Sequence, residues 1–398
     1  MSSSTLPPTA PRRVRFVDVY RGLAILMMIE AHVVNALLLP VLKESTWFSA
    51  LDFANGVVAP SFLFISGFAF ALTADRMSTL HDGASRTKKD SFLRLRQPLL
   101  HYLRRIGLIL LLGYALHLPF FSFRKLIHNS STNEMLAFYQ SDILQCIGMS
   151  LLIVMLMLFI TRTRAYFSLG VGFLAVATSL ATPLIWESPI LMKLPPILAE
   201  YLTPKYRSIF PLFPWSTFLF VGSIVGFHYL EAKREGTEHL FMRRLVQLGL
   251  GGIALGMFFR WSGINVALGS TSWKGSSGFM LLHLGLIMIL AAALWTVVEH
   301  RQKHAAALEI AGRESLFIYM THLVILYGSA FTGSGIAQVI GMKLSIAQCL
   351  LGAAVLITAM WGAAWLWHTF KRSMPIVFRT VQYSFSIVIL YLFFTRPF

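Results

Sequence analysis

Charge is scarce in this chain. Of its 398 residues, 13% are Asp, Glu, Lys or Arg and 56% are hydrophobic, with a mean hydropathy of +0.67. That balance leaves no room for a soluble domain and implies a polytopic membrane protein. Cysteine is scarcer: Cys146 and Cys349 are the whole complement. Both sit in apolar runs, which argues against a disulfide framework. Acidic residues number 17 against 34 basic ones, so the chain carries a large positive excess. There is no HExxH, CxxC pair, Walker lysine motif or G-x-S-x-G. Metal-dependent hydrolysis and ATP-driven work therefore lack support, and no metal site is expected.

What the chain does have is apolar length. Eleven segments are read, at about 17–41, 53–74, 99–121, 140–160, 165–186, 210–230, 243–261, 277–298, 314–331, 344–369 and 377–395. The expectation is an all-α integral membrane protein of about eleven transmembrane helices. Basic residues concentrate in alternate connections: Arg12, Arg13 and Arg15; Arg76 through Arg105; Arg162 and Arg164; Lys233 through Arg244; Arg301 through Arg313; and Lys371 through Arg379. The positive-inside rule then puts the N-terminus in the cytoplasm. The positive excess is thereby topology, with anionic lipid as its partner and nucleic acid as none. Residues 1–14 read as a disordered cytoplasmic tail rather than a signal peptide, and 15–398 as one transmembrane domain in the cell (inner or plasma) membrane. Gly252 and Gly256 form a GxxxG in the seventh segment, read as close helix packing.

Charges inside apolar runs are expensive and hence candidates for function. The stretch Arg15–His32, RFVDVYRGLAILMMIEAH, holds Asp18, Arg21, Glu30 and His32. At about 100° per residue, Arg21 and His32 return to within roughly 20° of one direction, and Asp18 lies about 40° to the other side. Glu30 falls on nearly the opposite face, where a polar packing partner is expected. The rise from Arg21 to His32 is about 16 Å, around half a bilayer core. An Asp18–Arg21 pair thus lies near the cytoplasmic surface and an imidazole in the outer half. Asp52 with Asn55, His117, Asp142 with Gln145, and His283 fall at outer depths and are grouped as an acceptor cavity. Asp52 and Asp142 also suit helix capping, and each lone histidine suits an interhelical hydrogen bond. Ser315, Tyr319 and His322 form a second polar stripe. A histidine can take a proton from a hydroxyl or amine near neutral pH, which fits transfer from an anionic donor inside to an acceptor outside.

These residues resemble a superfamily of membrane acyltransferases. Asp18-x-x-Arg21-Gly22 followed by an apolar run to His32 is similar to the first helix of two branches. One is the bacterial integral-membrane O-acyltransferases of surface glycans, whose Arg-x10-His spacing Arg21 and His32 reproduce. The other is the heparan-α-glucosaminide N-acetyltransferase family. Pro60–Gly67, Asp142–Gly148, Phe213-Pro214-Trp215 and Gly312–His322 resemble the latter. The resemblance implies transfer of an acyl group, usually acetyl, from cytosolic acyl-CoA to a sugar hydroxyl or amine across the membrane.

In the heparan branch, an asparagine stands where this chain has His32, and the catalytic histidine lies in the following outer loop. Here that loop, LKESTW at 42–47, has no histidine, so His32 must supply the base. On this resemblance Asp18, Arg21 and His32 are catalytic. Arg21, Arg104, Arg105, Tyr319 and His322 hold acyl-CoA, while Asp52, Asn55, His117, Asp142, Gln145 and His283 meet the glycan. A second copy of the chain remains a candidate partner. The competing readings are a transporter of lipid-linked or acidic solutes and a structural membrane subunit. The first calls for internal repeats with broken helices, and none is visible between the halves; the second leaves Asp18, Arg21 and His32 without purpose.

Overall fold

The structure, a computed structural model, describes residues 14–82, 88–161, 163–263, 272–300 and 305–396; side chains between 77 and 99, and that of Met192, are left undescribed. The expected tail, apart from Val14, lies outside the described residues. So do Arg12, Arg13, Arg86, Arg162, Arg301 and Lys303 among the residues used for topology.

The chain is helical almost throughout. Its helices are α1 (Arg15–Leu37), α2 (Thr46–Asn55), α3 (Val58–Asp82), α4 (Lys88–Leu116), α5 (Phe123–His128), α6 (Thr132–Tyr139), α7 (Ile143–Ile160), α8 (Arg164–Glu187) and α9 (Pro196–Leu202). They continue with α10 (Leu212–Glu235), α11 (Glu238–Ser262), α12 (Ser277–His300), α13 (Ala306–Arg313), α14 (Ser315–Tyr327), α15 (Ile336–Ile340), α16 (Ile346–Ser373) and α17 (Pro375–Thr395). A small antiparallel hairpin pairs Gly328–Ser329 with Gly333–Ser334. Among the described residues, eight helical stretches are long and apolar enough to cross a membrane, and α14 is apolar but shorter. The molecule is an all-α, multi-pass membrane protein.

Helix ends follow local chemistry. The backbone N–H of Ile143 donates to Asp142 Oδ1 at 2.7 Å, and Thr163 and Ser45 likewise cap α8 and α2. Ser131 with Glu134 and Ser345 with Gln348 form capping boxes, satisfying donors left over at helix starts. At the C-terminus of α10, Gly236 takes φ +70°, a conformation open to a residue without Cβ.

Each expected segment overlaps a helix, but the second is broken. The second divides at Gly56 into α2 and α3, so Asp52 lies within α2 and caps nothing; the Ser45 hydroxyl receives the Phe48 N–H instead. The ninth starts at the expected place, after Glu314, but its helix α14 ends at Tyr327. The GxxxG expectation does hold: a Cβ on Gly256 would stand 2.6 Å from the Leu282 nitrogen of α12. Small residues let the two backbones meet, as membrane helices require. Gly67 and Gly222 do the same for α3 and α10.

Helix α1 is the centre of the bundle, packed by α3, α12, α13, α14 and α16. Tyr20, fully buried, lies 3.1 Å from the Ser61 hydroxyl and donates to the Ile287 carbonyl at 3.3 Å. It ties α1 to α3 and α12 with its polar group satisfied. Such enclosure explains how α1 keeps charges that lipid would reject.

Candidate active site

At its N-terminal end α1 meets α13 at backbone distance, since a Cβ on Gly22 would collide with the Leu308 carbonyl and one on Gly312 with the Asp18 carbonyl. That approach assembles an ion network. Arg15 Nε and Nη2 donate to Glu309 Oε2 at 3.2 and 3.1 Å, and Glu309 also receives Arg313. Arg313 Nε lies 3.8 Å from Asp18 Oδ2, and Arg21 Nη1 lies 3.9 Å from Asp18 Oδ1. Arg21 Nη1 also reaches the Gly312 carbonyl at 3.5 Å. Three guanidinium groups therefore stand against two carboxylates in this cluster. Phe16 packs its ring against Phe68 and Tyr229. The same end thus approaches a second network, in which Asp75 takes Arg164 and Arg234, each at 2.6 Å. Arg104 and Arg105 are exposed on α4.

Toward the C-terminal end of α1, His32 and His322 meet. His32 Nδ1 lies 3.0 Å from His322 Nε2, with ring planes 12° apart and centroids 5.2 Å apart, so the two nitrogens meet edge to edge. His322 is wholly buried, and its Nδ1 lies 2.8 Å from the Ile318 carbonyl. Tyr327 closes this end, its hydroxyl donating to the His32 carbonyl at 3.4 Å. The Asp142 carboxylate interacts electrostatically with His32, Tyr319 and Tyr327, and its Oδ2 lies 3.4 Å from His117 Nε2. One turn into α7, Gln145 is wholly buried with neither amide atom hydrogen-bonded, its amide against Gly113 of α4.

The loops at this end are tied to α7. Buried Glu200 of α9 accepts from the Ser208 hydroxyl, which accepts the Ser141 N–H at 2.8 Å. Tyr201 and Tyr114 join hydroxyls at 2.8 Å.

The sequence-derived residues therefore fall into three places. Asp18 and Arg21 share the arginine network; His32, His322, Tyr319, Asp142 and His117 gather at the other end, with Gln145 adjoining. Among the described residues, no hydrogen bond, ion pair or ring contact joins Asp52, Asn55 or His283 to His32. His283 is buried, with Nδ1 2.9 Å from the Phe279 carbonyl and its ring near Phe53 and Phe279. Asn55 is the polar partner of Glu30, and Asp52 is exposed. Sequence reasoning missed Glu309 and Tyr327. Glu309 lies in a connection read as a cytoplasmic loop, although residues 306–313 (AALEIAGR) carry an amphipathic helical pattern that could have marked it; Tyr327 lies off the face of the 315/319/322 stripe, where periodicity gives no signal.

The helices thus form a multi-pass membrane protein with an arginine-rich network at one end of α1 and an imidazole–carboxylate cluster at the other. The sequence model described as heparan-alpha-glucosaminide N-acetyltransferase, catalytic, matches residues 13–260, more than half the chain. The chain belongs to that family and is a membrane acetyltransferase. No curated protein matches it. The matched span holds Asp18, Arg21, His32, His117, Asp142 and Gln145; Tyr319, His322 and Tyr327 lie beyond it.

Proposed function

We propose that this protein moves an acyl group, acetyl in the first instance, from cytosolic acyl-CoA to a hydroxyl or amine of a glycan on the outer side of the membrane. The observation that carries the reading is the polarity of α1: Asp18 and Arg21 in an arginine-rich network at one end, His32 in an imidazole–carboxylate cluster at the other. The interval of about 16 Å along the helix suits a donor whose phosphates stay at the basic end while its flexible pantetheine arm carries the thioester inward. Arg15, Arg21 and Arg313, with Arg104 and Arg105 on α4, have the chemistry to meet those phosphates.

His32 acts as general base. As the acceptor oxygen or nitrogen attacks the thioester carbonyl carbon, its proton passes to the imidazole. The new C–O or C–N bond forms, the C–S bond breaks, and the departing CoA sulfur takes the proton that His32 gained. Transfer is direct, in one ternary complex. Asp142, His117 and Gln145 line the acceptor side; the unsatisfied amide of Gln145 is a donor–acceptor pair suited to a sugar hydroxyl.

The test is transfer of label from [14C]acetyl-CoA to surface glycan in membranes bearing the wild-type chain or His32→Ala. Labelled glycan with the wild type alone supports the reading. Equal labelling from both removes His32 as the base, and no labelling from either removes the acyl transfer.

A further inference from the structure

We infer that His322 is a positioning residue that fixes the tautomer of His32, leaving Nε2 of His32 as the atom that accepts the proton. The inference rests on the general-base role of His32 proposed above and assigns His322 a duty other than holding acyl-CoA. It also concerns a residue outside the span that the family model matches, 13–260.

The argument begins at a group with one possible role. A main-chain carbonyl only accepts hydrogen bonds. The Ile318 carbonyl lies 2.8 Å from His322 Nδ1, so that nitrogen carries hydrogen. A neutral imidazole has a single N–H, which leaves His322 Nε2 with a bare lone pair. This lone pair lies 3.0 Å from His32 Nδ1, and the contact is a hydrogen bond only if His32 Nδ1 is the donor. The His32 hydrogen is thereby committed to Nδ1, and Nε2 is left bare. One backbone oxygen thus dictates the protonation pattern of two rings in sequence.

The anchor is local and rigid. Ile318 and His322 are four residues apart on α14, where the side chain of one residue can lie over the carbonyl of the other. Burial of His322 keeps water from offering its nitrogens other partners. Tyr327 holds the His32 main chain through its hydroxyl, its ring edge-on to the imidazole at 6.0 Å. When His32 Nε2 gains the acceptor's proton, Nδ1–H still points at His322 Nε2, so nothing in the chain must rearrange during turnover. Preorganisation of this kind lowers barriers. The orienting partner of a catalytic histidine is more often a carboxylate. Here Asp142 contributes its field at His32 while a neutral ring does the orienting.

The experiment uses the full chain in lipid nanodiscs with 15N-labelled histidine, the His32 and His322 signals being assigned from the spectra of His32→Gln and His322→Gln. In the wild type, His32 should show a protonated Nδ1 and a bare Nε2, and His322 the same pattern. In His322→Leu the His32 preference should be lost. Kinetics supply a second readout. His322→Leu should lower kcat roughly 10–100-fold, the range for loss of an orienting partner, with KM for acetyl-CoA unchanged. His322→Gln, whose Oε1 can accept from His32 Nδ1–H, should recover much of that loss.

A wild-type His32 protonated at Nε2, or a pattern unchanged in His322→Leu, overturns the inference. So does a raised KM for acetyl-CoA with kcat intact, which returns His322 to donor binding. If His322→Leu fails to fold, the wild-type spectrum and the Gln variant still decide. A wild-type protein that transfers no acetyl group sinks the proposed function instead, and the tautomer measurement stands apart from it.

Discussion

At the scale of residues, the chemistry turns on a few side chains placed against the preference of their surroundings. His32→Ala should fold, bind acyl-CoA and lose about two to four powers of ten in kcat, the usual worth of a general base. His32→Gln should fare little better, since an amide cannot take the proton; steady-state kinetics beside calorimetric CoA binding separates these effects. The exposed pair on α4 gives a second test. Arg104→Ala with Arg105→Ala should weaken CoA affinity roughly tenfold and flatten its salt dependence, and unchanged affinity over a salt series would leave them as lipid-facing topology signals.

Asp18, Arg21 and His32 were legible in the sequence because each is a polar group inside an apolar run, where chance placement is costly. The meeting of His32 with His322 was not. Spacing on α1 fixes a direction, but the partner lies 290 residues away on a helix whose neighbours periodicity does not name. Glu309 was missed for a different reason: the short amphipathic helix α13, AALEIAGR, sits among basic residues counted as a cytoplasmic connection.

At the scale of elements, glycine contacts decide which helices touch. Gly67→Ala would drive a Cβ into the Leu219 carbonyl, backbone against backbone. The α3–α10 pair should lose about 1–3 kcal/mol, as overpacking does, seen as a lower Tm in detergent. Gly251→Ala is the control: a Cβ there meets nothing within 4 Å, so stability should hold or rise slightly. Equal destabilisation by both would refute the packing account.

The loops at the imidazole end of α1 give another test. Removing the Glu200 carboxylate in Glu200→Ala strands the Ser208 hydroxyl, and a buried unsatisfied group costs about 1–3 kcal/mol; a Tm like that of the wild type would mean the tie is idle. Helices were readable because eleven apolar segments stand out against their flanks. The break at Gly56 was not, because the apolar run continues on both sides of it.

At the scale of the whole molecule, the proposed function makes α1 the link between two faces. Helix α1, wrapped by five others, joins an arginine network to an imidazole cluster, and the glycine contacts on α13 bring Arg313 to Asp18. The proposed function takes the arginine end as cytoplasmic, as the positive-inside rule predicts, and on it donor and acceptor should enter from opposite sides. The proposed sidedness draws on residue placement on one helix and on the charge of connections many residues apart.

The most direct measurement uses proteoliposomes with the chain in known orientation, [14C]acetyl-CoA on one side and a glycan acceptor on the other. Labelled acceptor should form when acetyl-CoA faces the arginine end and acceptor the imidazole end, and should vanish in His32→Ala. Transfer only when both substrates share a side would contradict a path along α1.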